Sequence, residues 1–127
     1  MQTKTGSRGN CFTACLASLF EISIEDVPNF YDEAGDDAEK WWGAVRDWLR
    51  IRGFGLMNLE LKDDADLSKF EGYFLVSGKS ARGIDHETIW KGGRMVHDPH
   101  PSGCGLKTIQ TVEMIYPLDP SRMVMKT

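Results

Sequence analysis

The chain has 127 residues, of which 41% are hydrophobic and 27% charged, and its formal net charge is −4. These values are ordinary for one globular domain with its own core, so we expect a single domain spanning residues 1–127. The negative charge and the lack of a lysine or arginine run argue against a nucleic-acid partner, and no apolar run is long enough to suggest a membrane partner.

The cysteines indicate a reducing compartment. The chain contains three, an odd number without the spacing of a disulfide framework, and Cys11 and Cys15 lie one helical turn apart. Residues 1–10 are too polar for a signal peptide. We therefore expect free thiols and a cytoplasmic protein.

The first predicted element is a helix that begins near Cys11. Its apolar residues follow helical spacing as far as Phe20, and Asn10 is placed to cap its start. In the first turn of a helix, free N–H groups and the macrodipole favour a thiolate over a thiol. Cys11 is therefore a candidate nucleophile, whereas Cys15, one turn further on, is expected in the core.

The remainder of the first half predicts one more long helix. Residues 23–26 resemble a capping signal for a short helical turn, and the acidic residues 29–37 are expected to form an exposed loop. A strongly amphipathic helix then runs from residue 37 to a stop at Gly53. Its tryptophans raise the alternative of a ligand platform, but their spacing favours the core: Trp41, Trp42 and Trp48.

The second half has the patterns of β-strands. Strands are predicted over residues 54–61, 72–77 and 111–116, and residues 86–91 and 94–97 form a hairpin around Gly92-Gly93. Helices followed by strands indicate an α+β fold, with N-terminal helices packed on a C-terminal antiparallel β-sheet.

A catalytic thiolate needs a base, and the base needs an orienting group. The chain has three histidines, and one of them, His86, begins the first strand of the predicted hairpin. Asp98 follows the end of the second strand, so the hairpin brings these side chains within hydrogen-bonding reach. If the start of the first helix docks at the same edge, Cys11, His86 and Asp98 form a triad.

The residues around these positions resemble a known group of enzymes. Gly9-Asn10-Cys11, Asp85-His86 and residues 95–103 (Met-Val-His-Asp-Pro-His-Pro-Ser-Gly) are similar to motifs of the papain-like cysteine peptidase clan. The likeness is greatest to its small C39-like bacterial and phage branch. The resemblance implies a papain-like fold, and a phage or prophage protein that acts inside a bacterial cell.

The resemblance also implies roles for individual residues. Cys11 is then the nucleophile, His86 the general base, Asp98 the orienting acid and Gln2 an oxyanion-hole donor. The reaction expected is hydrolysis or acyl transfer at a peptide, amide or thioester bond, without a cofactor.

Residues near the nucleophile and the base are expected to contact the substrate. Asn10 and Asp85 directly precede Cys11 and His86, and Ser80 and Arg82 belong to the predicted loop before His86. The identity of the substrate and the oligomeric state are left open.

Other interpretations compete with the enzyme. In one, Cys11 is a core residue, since free cysteine is among the most buried residue types, and the protein is a non-catalytic binding module on the same scaffold that sequesters a host factor or small ligand. A zinc-binding regulator is a third interpretation, because possible ligands lie close together in the sequence: His97, Asp98, His100 and Cys104.

Overall fold

The computed structural model describes residues 10–62 and 66–119, apart from the side chain of Glu33. The helices of this part are α1 (Cys11–Phe20), α2 (Tyr31–Ala34) and α3 (Ala38–Ile51), with short 3₁₀ turns at Ile24–Asp26 and Leu67–Lys69. The strands are β1 (Phe54–Glu60), β2 (Phe74–Lys79), β3 (Asp85–Lys91), β4 (Arg94–His97) and β5 (Thr111–Pro117).

The described strands form one antiparallel five-stranded sheet in the order β1-β5-β2-β3-β4. The predicted hairpin joins β3 to β4, and both Gly92 and Gly93 have the positive φ angles that such a turn requires (64° and 81°). The expectation of an α+β fold with an antiparallel sheet is confirmed at this level.

The outer strand β4 covers only part of β3. Its pairs with β3 involve Ile89, Trp90 and Lys91. Among the described strands, nothing pairs with the beginning of β3 on that side. The helix α1 packs against β3, and this contact positions the candidate site.

The main core lies between the helices and one face of the sheet. Buried side chains of α1 and α3, such as Leu16 and Leu49, pack there with Leu75 of β2 and Ile89 of β3. A second buried cluster lies on the opposite face of the sheet and contains Phe74, Val76 and Val112 of the strands together with Leu67 of the second 3₁₀ turn. None of the helices in residues 10–62 and 66–119 combines the length and the apolar character needed to cross a bilayer.

The predicted exposed loop over residues 29–37 is wrong in part, because the short helix α2 occurs there. Phe30 is buried, and its ring packs edge-on against those of Phe12, Trp41 and Trp48. The Asn29 side chain also accepts a hydrogen bond from the Tyr31 N–H (3.2 Å). One aromatic anchor therefore holds a segment whose acidic composition indicated only a loop.

Capping at the two long helices differs. Asp37 accepts a hydrogen bond from the Lys40 N–H (3.1 Å) at the start of α3, as the predicted helix boundary implies. Asn10 precedes α1, but its side chain makes no capping hydrogen bond to the helix. Its ψ angle of 34° is far from the extended value that places a capping side chain over the free N–H groups. The predicted Asn10 cap is therefore wrong.

The packing of α1 can be tested with a matched pair of truncations. Leu16 is 0% exposed, so Leu16→Ala should lower the free energy of unfolding by about 2–5 kcal/mol through lost burial and the cavity it leaves. Ile51, at the end of α3, is 83% exposed, and Ile51→Ala should change it by less than about 0.5 kcal/mol. Urea unfolding measures both, and equal losses would contradict the described core.

Candidate active site

His86 and Asp98 are in direct contact. Nε2 of His86 lies 2.6 Å from Oδ1 of Asp98, and the two side chains are 2% and 3% exposed. His86 is near the start of β3, and Asp98 directly follows β4. The contact expected from the hairpin is therefore present.

Asp98 is held by further donors. Its Oδ1 accepts a hydrogen bond from the His100 N–H (2.9 Å), and its Oδ2 accepts one from the Gly105 N–H (2.7 Å). Burial raises the pKa of Asp98, but the hydrogen bonds from His86 and these amides outweigh it, and the net pKa lies below the ordinary value. Asp98 is therefore a carboxylate over the neutral pH range.

This carboxylate determines which nitrogen of His86 can act as a base. A carboxylate only accepts hydrogen bonds, so Nε2 of a neutral His86 must carry the ring proton. The other nitrogen, Nδ1, is then unprotonated and can accept a proton from a neighbouring group.

Cys11 lies beside the uncovered beginning of β3. The backbone of Glu87 turns both of its polar groups toward α1 there. Its carbonyl oxygen accepts a hydrogen bond from the Cys15 thiol (3.5 Å), and its N–H lies close enough to the sulfur of Cys11 to lower the pKa of that thiol. Cys15 is buried, as predicted, whereas Cys11 is half-buried.

The thiol of Cys11 does not have the low pKa that the helix start suggests. Burial raises the pKa of Cys11 above its ordinary value, and the backbone hydrogen bonds from Glu87, Phe12 and Cys11 itself offset this only in part. The negative charge of Asp98 raises it further. Cys11 is therefore a thiol at rest, because desolvation outweighs the donors at the helix terminus.

Cys11 and His86 line the same cavity, which has a volume of about 610 Å³ and is therefore large enough for a small molecule or a side chain. Phe12, Trp41 and Trp42 contribute aromatic surface to it. The two tryptophans also pack against the core, as the sequence predicts. Because they line the cavity as well, the ligand-platform alternative stays a prediction.

Two buried glutamates line the cavity and were not predicted. Glu113 Oε1 accepts hydrogen bonds from the hydroxyls of Thr111 (2.7 Å) and Ser77 (3.2 Å). Burial, followed by the negative charge of Glu113, raises the pKa of Glu87 well above its ordinary value. The signal in the sequence is that Glu113 interrupts the apolar run of β5 at an inward-facing position.

The structure separates the predicted substrate-binding residues. Asp85 lines the cavity, and its carboxylate pairs with Lys79 (2.7 Å). Ser80 is fully buried, where its hydroxyl accepts a hydrogen bond from the Arg82 N–H (3.3 Å). Arg82 is exposed in the turn, and neither it nor Ser80 is among the residues that line the cavity.

Asn10 is buried next to Cys11 but is not among the cavity-lining residues. Gln2, the expected oxyanion-hole donor, and Gly9 of the N-terminal motif lie outside the described residues. Their predicted roles stay predictions.

The residues of the zinc hypothesis have other contacts. His100 Nδ1 is 2.9 Å from the hydroxyl of Ser102, and the ring of His100 stands edge-on to that of His86 at 6.2 Å. The Cys104 thiol is exposed. Within residues 10–62 and 66–119, no group of three or more His, Cys, Asp or Glu side chains is arranged to hold a metal ion.

Comparison of the chain with protein-family models, with curated proteins and with solved structures finds no match. What the site does therefore has to be inferred from its residues.

The raised pKa of Glu87 predicts how stability depends on pH. A carboxyl group whose folded-state pKa is raised contributes stability below its unfolded pKa, and this is lost as the pH rises through the folded pKa. Glu87→Gln should therefore lose less stability than the wild type as the pH rises from the ordinary glutamate pKa of about 4.3 toward the raised pKa of Glu87. Urea unfolding across this range measures the difference.

The control for this experiment is Glu25→Gln, which alters an exposed glutamate in a 3₁₀ turn. Its stability should follow the wild-type pH dependence. If Glu87→Gln does the same, the buried carboxyl group is not protonated as described.

Proposed function

We propose that the protein is a cysteine-nucleophile hydrolase or acyltransferase of papain-like architecture that acts on a peptide, amide or thioester bond. The observation that carries this proposal is the contact of His86 with Asp98 at 2.6 Å, with His86 opening onto the same cavity as Cys11. A base oriented by a carboxylate and a cysteine at a helix start, lining one cavity, are the parts that nucleophilic catalysis requires.

The arrangement supports a definite sequence of proton transfers. Nδ1 of His86 takes the proton of Cys11 as the sulfur attacks the substrate carbonyl carbon. The imidazolium is stabilised by Asp98 and then protonates the leaving amine or thiol. Water or another acceptor, deprotonated by His86, releases the acyl group from Cys11 and regenerates the thiol.

The raised pKa of Cys11 favours proton removal during attack over a resting ion pair. Removal of the proton then coincides with bond formation, so an isolated thiolate need not persist in a desolvated position. The Cys11 N–H, in the first turn of α1, has no backbone carbonyl of the helix as acceptor and is the proposed donor to the oxyanion.

The papain-like part of the proposal rests on how the elements meet. The helix that begins with the nucleophile packs against the strand that bears the base, and the acid follows the next strand. We propose a phage or prophage origin from the resemblance of the motifs around Cys11, His86 and Asp98 alone.

The proposal can be tested with p-nitrophenyl acetate, a small activated ester without charge. Wild-type protein should release p-nitrophenol in a burst, and mass spectrometry should locate a transient acetyl group on Cys11. Cys11→Ala should abolish both signals. Removal of the base or its orienting group, by His86→Ala or Asp98→Asn, should slow acylation by about 100-fold or more.

Cys104→Ala is the matched control, because it removes an exposed thiol outside the cavity. Its burst should equal that of the wild type. Acetylation of Cys11 no faster than that of Cys104 would show that the site does not activate the nucleophile.

One observation favours a second candidate, a non-catalytic binding module that sequesters a host factor or a small ligand in the cavity. The raised pKa of Cys11 suits a side chain that only lines a pocket. The same experiment separates the enzyme from the binding module, because in a binding module the ester acylates Cys11 slowly and at a rate that does not depend on His86.

A further inference from the structure

We propose that Glu87 and Glu113 bind a cationic group of the substrate, so that Cys11 acts next to a lysine or arginine side chain or a comparable amine. The choice of substrate rests on the proposed function. The cation-binding site itself is argued from the cavity and can be tested without turnover.

The carboxyl groups are buried but incompletely paired. Glu87 and Glu113 are 5% and 1% exposed, and both line the cavity that contains Cys11. Apart from a hydrogen bond between the two carboxyl groups, which helps to raise the pKa of Glu87, the Oε2 atom of each has no hydrogen-bond partner among the described residues. Unpaired buried oxygens are unfavourable, and an ammonium or guanidinium group supplies several N–H donors at once.

The sheet holds this pair in position. Ser77 of β2 is directly opposite Glu87 of β3 on one side and Thr111 of β5 on the other, so their side chains share one face of the sheet. The hydroxyls of Ser77 and Thr111 donate hydrogen bonds to Oε1 of Glu113. They fix the orientation of this carboxyl group and leave Oε2 for another partner.

The cavity wall also suits a cation. Trp41 and Trp42 line it with rings nearly perpendicular to each other, 4.6 Å between centroids, and Phe12 lies next to both. Aromatic faces attract cations, and the apolar surface suits the methylene stem of a lysine. Anionic oxygens and aromatic rings in one cavity therefore match an amine on an apolar chain.

A purely structural role explains the pair less well. Two carboxyl groups repel each other when both are ionised, and Glu87 avoids this by keeping its proton. Glutamine at either position would fill the same volume without repulsion. When a cation binds, it takes the place of that proton, which passes to the solvent.

The test compares two reagents of similar size that modify thiols by the same reaction. In both 2-aminoethyl methanethiosulfonate, which is cationic, and methyl methanethiosulfonate, which is neutral, the cysteine thiolate attacks the divalent sulfur. A mixed disulfide forms and methanesulfinate leaves. Cys104, exposed on the same molecule, reports the intrinsic ratio of the two rates and any general attraction of cations.

For the wild type, the ratio of cationic to neutral rates should be about tenfold higher at Cys11 than at Cys104. Peptide mapping of the modified protein measures both positions. Equal ratios at the two cysteines, or no modification of Cys11 by either reagent, would overturn the proposal.

The double variant Glu87→Gln, Glu113→Gln should lower the ratio of cationic to neutral rates at Cys11 to the ratio at Cys104. Both changes are needed, because a single remaining carboxyl group can ionise in place of the other. The control is Glu25→Gln, Asp26→Asn, which also replaces two carboxyl groups by amides, but in an exposed turn. It should keep the higher ratio of cationic to neutral rates at Cys11. If the double variant does not fold, the comparison of cysteines in the wild type decides alone.

Failure of this inference is distinguishable from failure of the proposed function. If the neutral acetate ester is turned over but Cys11 shows no preference for the cationic reagent, the protein is an enzyme without a cation site. If Cys11 prefers the cationic reagent but is not acylated by the ester, the cavity binds cations without catalysis.

Discussion

The structure depends on the packing of α1 against the part of β3 that β4 does not cover. Because β4 ends its pairing at Ile89, the N–H and carbonyl of Glu87 are available to the helix. The carbonyl accepts the Cys15 thiol and the N–H contacts the Cys11 sulfur. A longer β4 would occupy these groups, and the helix start could not reach the strand that bears His86.

The alternation of side chains along β3 explains how one strand supplies two kinds of chemistry. His86 is opposite Gly78, and the next residue, Glu87, is opposite Ser77 on the other face. A side chain at Gly78 would collide with the carbonyl group of Thr108, which crosses close to this position. Because this end of β3 is an edge, both His86 and Glu87 still border the cavity.

The sequence was sufficient for the local parts of the site. The contact of His86 with Asp98 follows from a hairpin closed by Gly92-Gly93, so only short-range pairing is needed. The proximity of Glu87 to Glu113 depends on β5 lying next to β2, which no local pattern specifies. The pKa of Cys11 was also mispredicted, because the helix terminus is visible in the sequence but burial is not.

The contrast between Asp98 and Glu87 connects the proposed chemistry to the proposed specificity. Asp98 has three donors and keeps a lowered pKa, whereas Glu87 is buried beside another carboxyl group and has a raised one. A charge on Cys11 also raises the pKa of Glu87, so the thiolate and the ionised glutamate disfavour each other. A cation in the cavity would relieve this repulsion and stabilise both anions. In the proposed enzyme, a basic substrate would therefore favour formation of the thiolate that attacks it, and Cys11 would react more slowly with an uncharged substrate.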